Sequence, residues 1–479
     1  MILHKKNFNI NPVLLTNIVF AFFPISFILG NLITNINTLL FCCLGILHLR
    51  SRILTTKFNL PIKIIFLLFL IIFFSTSLNF IKSLYIDGYE YSELIRLLKS
   101  ISFFRYFLML IIVYLLIESD ILNFKYFFVS AAFSSVFISL DIIFQYTFGF
   151  NTIGLKSILV PGSYSFRNAG FFGDELIAGG FIKNFSFFSI FFVAFIFKNK
   201  SNIRFLLIML TICIVGMGML FSGNRMPIIL FVFGLLLIFL LNNKLKKVLS
   251  VSLIVLFINF GLLGSFDKNI KDNFYYFYRV SAYTIINLPN TSESKKFDFI
   301  LSLKDGMVKH DTLKEDGLLR HDFDSFWPMQ SSTQGHIKLF NTAIDLWKEN
   351  KIFGSGIKSF RVKCVKIEAH TKNRLCSTHP HNYYLEILTD TGIAGFLLVC
   401  ILALIFVVFI IKNFKFFSGN GMGNYILLAT VISLILETFP LKSTGSIFTT
   451  NDATYLILIS SIILSYKKLF TVQNSDNHI

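Results

Sequence analysis

The sequence predicts an all-α integral membrane protein of about twelve transmembrane helices, with one large, mainly helical loop outside the bilayer. Three observations predict it. Hydrophobic residues make up 54% of the 479 and charged residues only 15%, against about a quarter charged in soluble domains, and mean hydropathy is +0.70. Apolar runs such as Ile62 to Leu78, Leu206 to Phe221 and Phe396 to Ile411 approach the roughly 20 residues a helix needs to cross a hydrocarbon core. Lysine and arginine gather in alternate short loops, as they do on the cytoplasmic side of a polytopic protein.

The spans are expected to begin near Val13, Asn37, Pro61, Ser102, Phe124, Ala178, Phe205, Met226, Val248, Gly395, Tyr425 and Ala453. Lys5 and Lys6 precede the first, and no small-residue cleavage site follows it, which predicts an uncleaved first helix. Arg50, Arg52 and Lys57, then Lys125, then Lys198, Lys200 and Arg204, then Lys244, Lys246 and Lys247, then Lys412 and Lys415 fall in loops on one side, and the tail adds Lys467 and Lys468. That asymmetry puts both termini in the cytoplasm and the long loop outside. Residues 1–266 form the first nine helices, 267–378 the loop, and 379–479 the last three helices. The 60 phenylalanines serve as lipid-facing bulk and carry no functional inference.

The net charge of +18 invites a nucleic-acid reading, but the loop from Asp267 to Thr378 has 18 Lys and Arg against 13 Asp and Glu, so only +5 lies there. The remainder sits mostly in short cytoplasmic loops, and no nucleic-acid partner is implied. The loop is too long for a linker and too aromatic for disorder. Within it Ile337, Phe340, Ile344 and Trp347 recur at helical spacing after the cap-forming Ser331 to Thr333 and before Gly354. This predicts an amphipathic helix lying on the loop's own core or on the membrane surface.

Chemistry concentrates where the loop re-enters the membrane. There His381 and Asn382 are followed by nine residues and then Gly392 and Gly395. A histidine at such a boundary exchanges its proton near neutral pH, as a general base must; a plain interfacial hydrogen-bonder is the alternative. The glycines permit close backbone approach at the start of the next span. Arg225 closes the turn Phe221-Ser-Gly-Asn-Arg-Met-Pro227, either as an intramembrane cation with a function or as a side chain that snorkels from a helix end. Its fork of donors suits a diphosphate. Upstream, Asp141 and Gln145 precede a stretch holding Arg167 and Glu175. Arg167 suits a phosphate and Glu175 an acceptor, unless the two form a surface ion pair.

Cys364 and Cys376 lie in the loop. In an oxidising compartment their spacing favours a disulfide, contributing on the order of 3 kcal/mol. The alternative is zinc held by these cysteines with His379 and His381, which would consume the proposed base. Asp322 and Asp324 form a weak metal-type pair, and no phosphate-binding glycine loop follows a strand.

The His-Asn-x9-Gly-x-x-Gly arrangement at His381 resembles the pattern of the O-antigen ligase family, whose domain is shared with O-antigen polymerases. The turn at Arg225, the stretch through Arg167 and Glu175, and Phe439 to Thr450 resemble the same family from about Asp141 to Ala453. The resemblance implies a bacterial inner-membrane enzyme working at the periplasmic face without a metal or other cofactor. It would move a glycan from undecaprenyl diphosphate to lipid A-core, as a ligase, or to a second lipid-linked glycan, as a polymerase. Catalysis would fall to His381 and Arg225, and substrate binding to Arg167, Glu175, Asn382 and a second loop cation. The family has an arginine near the position of His336, so Arg279, His336 and Arg361 all remain candidates for that cation. A twelve-helix transporter is the rival from another class, although the polar residues cluster on one face and not around a midplane site. A scaffold without chemistry would be indifferent to the loss of His381.

Overall fold

The computed structural model describes residues 11–87, 90–159, 166–267, 269–271, 274, 328–370 and 374–471. The principal helices are α1 (Pro12–Ala21), α2 (Phe23–Ile28), α3 (Asn31–Leu49), α4 (Leu60–Lys82), α5 (Tyr91–Glu118), α6 (Phe124–Phe148), α7 (Ala178–Ile196), α8 (Ser201–Phe221), α9 (Arg225–Leu241) and α10 (Lys246–Phe266). After the long loop's α11 (Pro328–Glu349) and α12 (Phe360–His370) come α13 (Tyr383–Lys412), α14 (Met422–Glu437) and α15 (Thr450–Leu464). A two-residue antiparallel pair, β1 (Ile158–Leu159) with β2 (Phe166–Arg167), lies between α6 and α7.

Eight of these helices are long and apolar enough to cross a membrane: α3 to α8, α10 and α13. Four shorter apolar helices, α1, α9, α14 and α15, fall where the sequence places its remaining spans. The chain is an all-α, multi-pass membrane protein. Phenylalanines fill much of the interior, for example Phe127 against Phe188, edge to face at 5.6 Å.

Two expected helix starts are corrected. The helix predicted from Ser102 begins at Tyr91, because the charged residues of its first turns, Glu93 and Arg96, are buried and pair at 2.5 Å. The helix predicted from Gly395 begins at Tyr383 and breaks at Gly392. Residues 383–391 are mostly buried against the protein, whereas beyond the break the helix is almost wholly exposed to its surroundings, as a lipid-facing span is.

Gly392 explains the glycine spacing. Its φ is +65°, and a Cβ there would collide with the carbonyl of Ile352. The close approach allows Ile393 to donate its N–H to Lys351 O (2.9 Å) and Ala394 to Ile352 O (3.1 Å), while Ser355 and Gly356 donate back to Thr389 O and Asp390 O (both 2.8 Å). Segment 350–356 is thereby laced onto the kink.

The loop helix α11 starts before Ser331, so the anticipated cap lies inside it. Its buried side is also rotated from the expected stripe: Leu339, Ala343 and Leu346 pack on Phe360 and Cys364, while Ile337 is 45% exposed. The reason is local. The Cys364–Cys376 disulfide, with Cα atoms 5.1 Å apart, builds a small core that attracts the face carrying Ala343. This bond uses two of the four side chains weighed as zinc ligands.

Replacing Gly392 by alanine should destabilise the protein by at least about 1–3 kcal/mol, the usual range for forcing a side chain into left-handed backbone. Thermal unfolding in detergent measures it. Gly180→Ala, in helical backbone where no atom lies within 4 Å of the added Cβ, should hold or slightly raise the transition.

Candidate active site

The described parts of the segments singled out in the sequence lie in loops that alternate along the chain, between α6 and α7, between α8 and α9, just before α13, and between α14 and α15, and so fall at one end of the helix bundle. His381 sits there immediately before α13. Asn382 caps that helix, its Oδ1 accepting from Tyr384 N (3.0 Å) and Leu385 N (3.1 Å), and its Nδ2 donates to Pro440 O (2.9 Å). Both ends of its amide are therefore taken by backbone, and the residue orients His381.

His381 has φ +56°, a left-handed conformation that histidine tolerates better than most residues but still at a cost. Thr444 holds it there. Thr444 N donates to His381 O at 3.0 Å, and the His381 ring approaches Thr444 O through Nδ1 at 3.2 Å. A carbonyl can only accept, so Nδ1 carries the hydrogen and Nε2 keeps its lone pair. The same carbonyl receives His379 Nε2 at 3.2 Å, and His379 Nδ1 faces the Thr378 hydroxyl at 2.9 Å.

Three imidazoles cluster, with ring centres 4.1 Å apart for His379 and His381 and 5.4 Å for His336 and His381. Burial lowers the pKa of all three. That of His379 falls to about 4, with the positive forms of His381 and Arg361 adding to the effect and the Thr444 bond opposing it. For His381 the Thr444 bond offsets part of the burial, and for His336 burial is reinforced by His381. Near neutral pH His381 is an uncharged imidazole whose Nε2 can accept a proton. Arg361, exposed, lies within electrostatic reach of His379 and Lys358.

The segment 382–391 is pinned by two buried carboxylates one helical turn apart. Glu386 accepts from the Ser446 hydroxyl (2.5 Å) and Ile447 N (2.8 Å). Asp390 accepts from Lys358 N (2.6 Å), Ser359 N (3.1 Å) and the Ser359 hydroxyl (2.5 Å). Arg96 holds the second of these loops, donating from Nε to Ile357 O at 2.8 Å and from Nη2 to Ser355 O.

The arginines form a second cluster. Arg225 is the first residue of α9, half-buried, after a turn in which Gly223 has φ +74°. Arg167 lies close enough for the two positive charges to repel. Burial lowers the Arg167 pKa from its ordinary value, and its Nε is buried without a hydrogen-bond partner among the described residues. Neighbouring side chains fix both: Asn168 Nδ2 donates to Phe221 O (2.6 Å) and Asn224 Nδ2 to Leu176 O (3.0 Å). Asp141 and Gln145 are buried and hold the preceding segment through Thr152 and Gly170. Glu175 is exposed and forms no ion pair with Arg167. Arg279, Asp322 and Asp324 lie outside the described residues.

A buried charge network that the sequence reading missed joins the clusters. Glu437 accepts from Lys183 Nζ (2.5 Å), Lys442 Nζ (2.7 Å) and the Tyr383 hydroxyl (2.9 Å). Lys183 lies one turn along α7 from Gly179, which packs on Ser222 and Asn224 of the Arg225 turn. Tyr383 lies two residues past His381. An ionisable residue inside an apolar span is a functional signal by default, and Lys183 carries that signal in the sequence.

Residues 207–400 match the family model described as O-antigen ligase. Over that stretch, about two fifths of the chain, the sequence is similar to the O-antigen ligase family. The matched domain contains Arg225, His381 and the glycine pair, while Arg167, Lys183 and the Thr444 loop fall outside it. No curated protein matches the chain. The family supports a membrane enzyme of the glycan-transferase kind that works on lipid-linked glycans.

Glu437→Gln should destabilise the protein by on the order of 3 kcal/mol, because it leaves two buried lysines facing a neutral amide. Lys442→Met should be milder, since the Lys183–Glu437 pair survives. Thermal unfolding of both variants, compared in one detergent, checks the order.

Proposed function

We propose that the protein moves a glycan from undecaprenyl diphosphate to an acceptor hydroxyl on lipid A-core, at the periplasmic face of a bacterial inner membrane, with both termini in the cytoplasm. The observation that carries this reading is the His381 ring, held neutral by burial and presented with Nε2 unprotonated because Thr444 O takes Nδ1–H. Nε2 takes the proton of the acceptor hydroxyl as its oxygen bonds to the anomeric carbon. The bond from that carbon to the phosphate oxygen breaks on the opposite side, so configuration inverts and undecaprenyl diphosphate leaves with the electron pair.

Arg225 and Arg167 would grip the diphosphate and neutralise the charge that develops on it. Their crowding, two guanidiniums in mutual repulsion, suits an anionic guest that relieves it. The pair performs the task that divalent ions perform elsewhere, so no metal enters the reaction. Arg361 and His336 flank the base and would meet the sugars or the second phosphate, and Glu175, at the exposed rim, would meet the acceptor. Joining two lipid-linked repeats, as a polymerase does, needs the same chemistry. The lipopolysaccharide ladder of a deletion strain separates the two, since loss of a ligase leaves bare core and loss of a polymerase leaves core with one repeat.

His381→Ala and Arg225→Ala should fail differently. Removing the base should lower transfer by two to four orders of magnitude with donor affinity nearly unchanged. Removing the guanidinium should weaken donor binding and transfer together, with Arg225→Lys a partial substitute. Transfer by purified variants from a synthetic undecaprenyl-diphosphate glycan in EDTA, with donor binding assayed separately, tests both roles. Full activity in His381→Ala, or activity that requires an added divalent ion, contradicts the mechanism.

A further inference from the structure

A group of lysines lies on the same side of the bundle as the site, outside the residues the transfer step uses. They surround a crevice of about 290 Å³ between the end of α4 and segment 350–354, lined by Leu78, Asn79, Lys82, Lys351, Ile352 and Phe353 among others. Its walls are fixed. Asn79 Nδ2 donates to Ser75 O (2.9 Å) and to Gly354 O (3.2 Å), and Asn79 Oδ1 accepts from Lys363 Nζ at 3.0 Å. Segment 350–354 is laced to the Gly392 kink, and Phe353 meets Phe74 edge to face at 5.2 Å.

The crevice is two-sided. Lys82 and Lys351 are exposed beside it and Lys363 stands half-buried behind Asn79, with the exposed Glu349 and the buried Glu93–Arg96 pair in electrostatic reach of Lys363. On the other side Ile352 is 61% and Phe353 41% exposed. They continue the face of α4, a span of which little more than a fifth is buried in the protein. Lysines above an apolar rim that opens toward lipid match a phosphorylated headgroup whose acyl chains stay in the bilayer.

We infer that this crevice binds the phosphate of the lipid acceptor, and so seats the second substrate apart from the arginines that hold the donor. The inference rests on the transferase reading above and adds the acceptor's recognition element. From the crevice wall at the Gly392 kink to His381 runs the short helical segment 383–391, roughly 15 Å at 1.5 Å per residue. That offset suits an acceptor with several sugars between its lipid phosphate and the hydroxyl that reacts.

The test uses the full-length protein in nanodiscs of neutral lipid. Binding is measured for lipid A-core carrying its phosphates, for the same glycolipid after enzymatic dephosphorylation, and for the undecaprenyl-diphosphate glycan. The native protein should bind the phosphorylated acceptor at least tenfold more tightly than the dephosphorylated one, and Lys82→Gln with Lys351→Gln should abolish the difference. The single change Lys351→Glu, at an exposed side chain, should do most of the same. Donor binding should stay unchanged in every variant, which also shows that each is folded. Equal affinity for the two acceptors, or full discrimination in the double variant, overturns the inference. Competition by phosphatidylglycerol as effective as that by the phosphorylated acceptor also overturns it, because the site would then serve bulk lipid. If phosphate-dependent acceptor binding holds but the native protein moves no glycan, the transferase reading fails and the crevice stands.

Discussion

The carbonyl of Thr444 accepts from two imidazoles at 3.2 Å while the same residue's N–H fixes the His381 backbone, and the rest of the site is arranged to keep that residue in place. The loop that carries it, 438–449, has no regular helix of its own. It is anchored by Glu386 at Ser446 and Ile447, by Asn382 at Pro440, by the Tyr384 hydroxyl at Thr438 O (2.5 Å), and by the Lys442–Glu437 pair. Three of these five side chains, Asn382, Tyr384 and Glu386, come from the segment that opens α13. The helix that presents the histidine therefore also builds the loop that orients it, and the Gly392 break lets this short piece turn away from the lipid-facing span that follows.

Buried charge is the second constraint. A lone lysine in a bilayer-spanning helix costs roughly 2.5–3.5 kcal/mol on insertion scales, and Lys183 offsets that through Glu437, with Asp452 in electrostatic reach. Glu437 in turn serves two lysines and a tyrosine hydroxyl, so α7, α14, the Thr444 loop and the first turn of α13 meet at one carboxylate. Such networks add less to stability than to uniqueness of geometry. Here that geometry sets how the arginine turn at the head of α9 lies relative to the histidines, because Gly179 and Lys183 share one face of α7.

Much of this was legible in the sequence where a rule is local. Hydropathy placed a helix at each expected span, and residue type with spacing marked the close backbone approach at Gly392 and the Cys364–Cys376 bond. Errors arose where tertiary contacts override local pattern. The turns holding Glu93 and Arg96 fall outside the expected span because Arg96's backbone partners, the carbonyls of Ser355 and Ile357, lie some 260 residues away in the chain, while Glu93 pairs with Arg96 itself. The buried face of α11 was assigned one register off because the disulfide core, and not the largest apolar side chains, selects it. Asn382 read as a ligand but caps a helix, which the position before Tyr383 permitted. Thr444 was invisible, since its contribution is made by backbone atoms that any residue supplies.

The central claim is that His381 is a neutral base whose Nδ1–H is committed to Thr444. Nitrogen-15 NMR of the protein labelled at histidine, with His381→Gln to assign its resonances, reads tautomer and titration directly. The account predicts the Nδ1–H form at pH 7, and protonation only on acidification below the ordinary histidine value of about 6.5, since burial favours the uncharged ring. A ring protonated on Nε2 alone, or one that becomes an imidazolium above that pH, would contradict it.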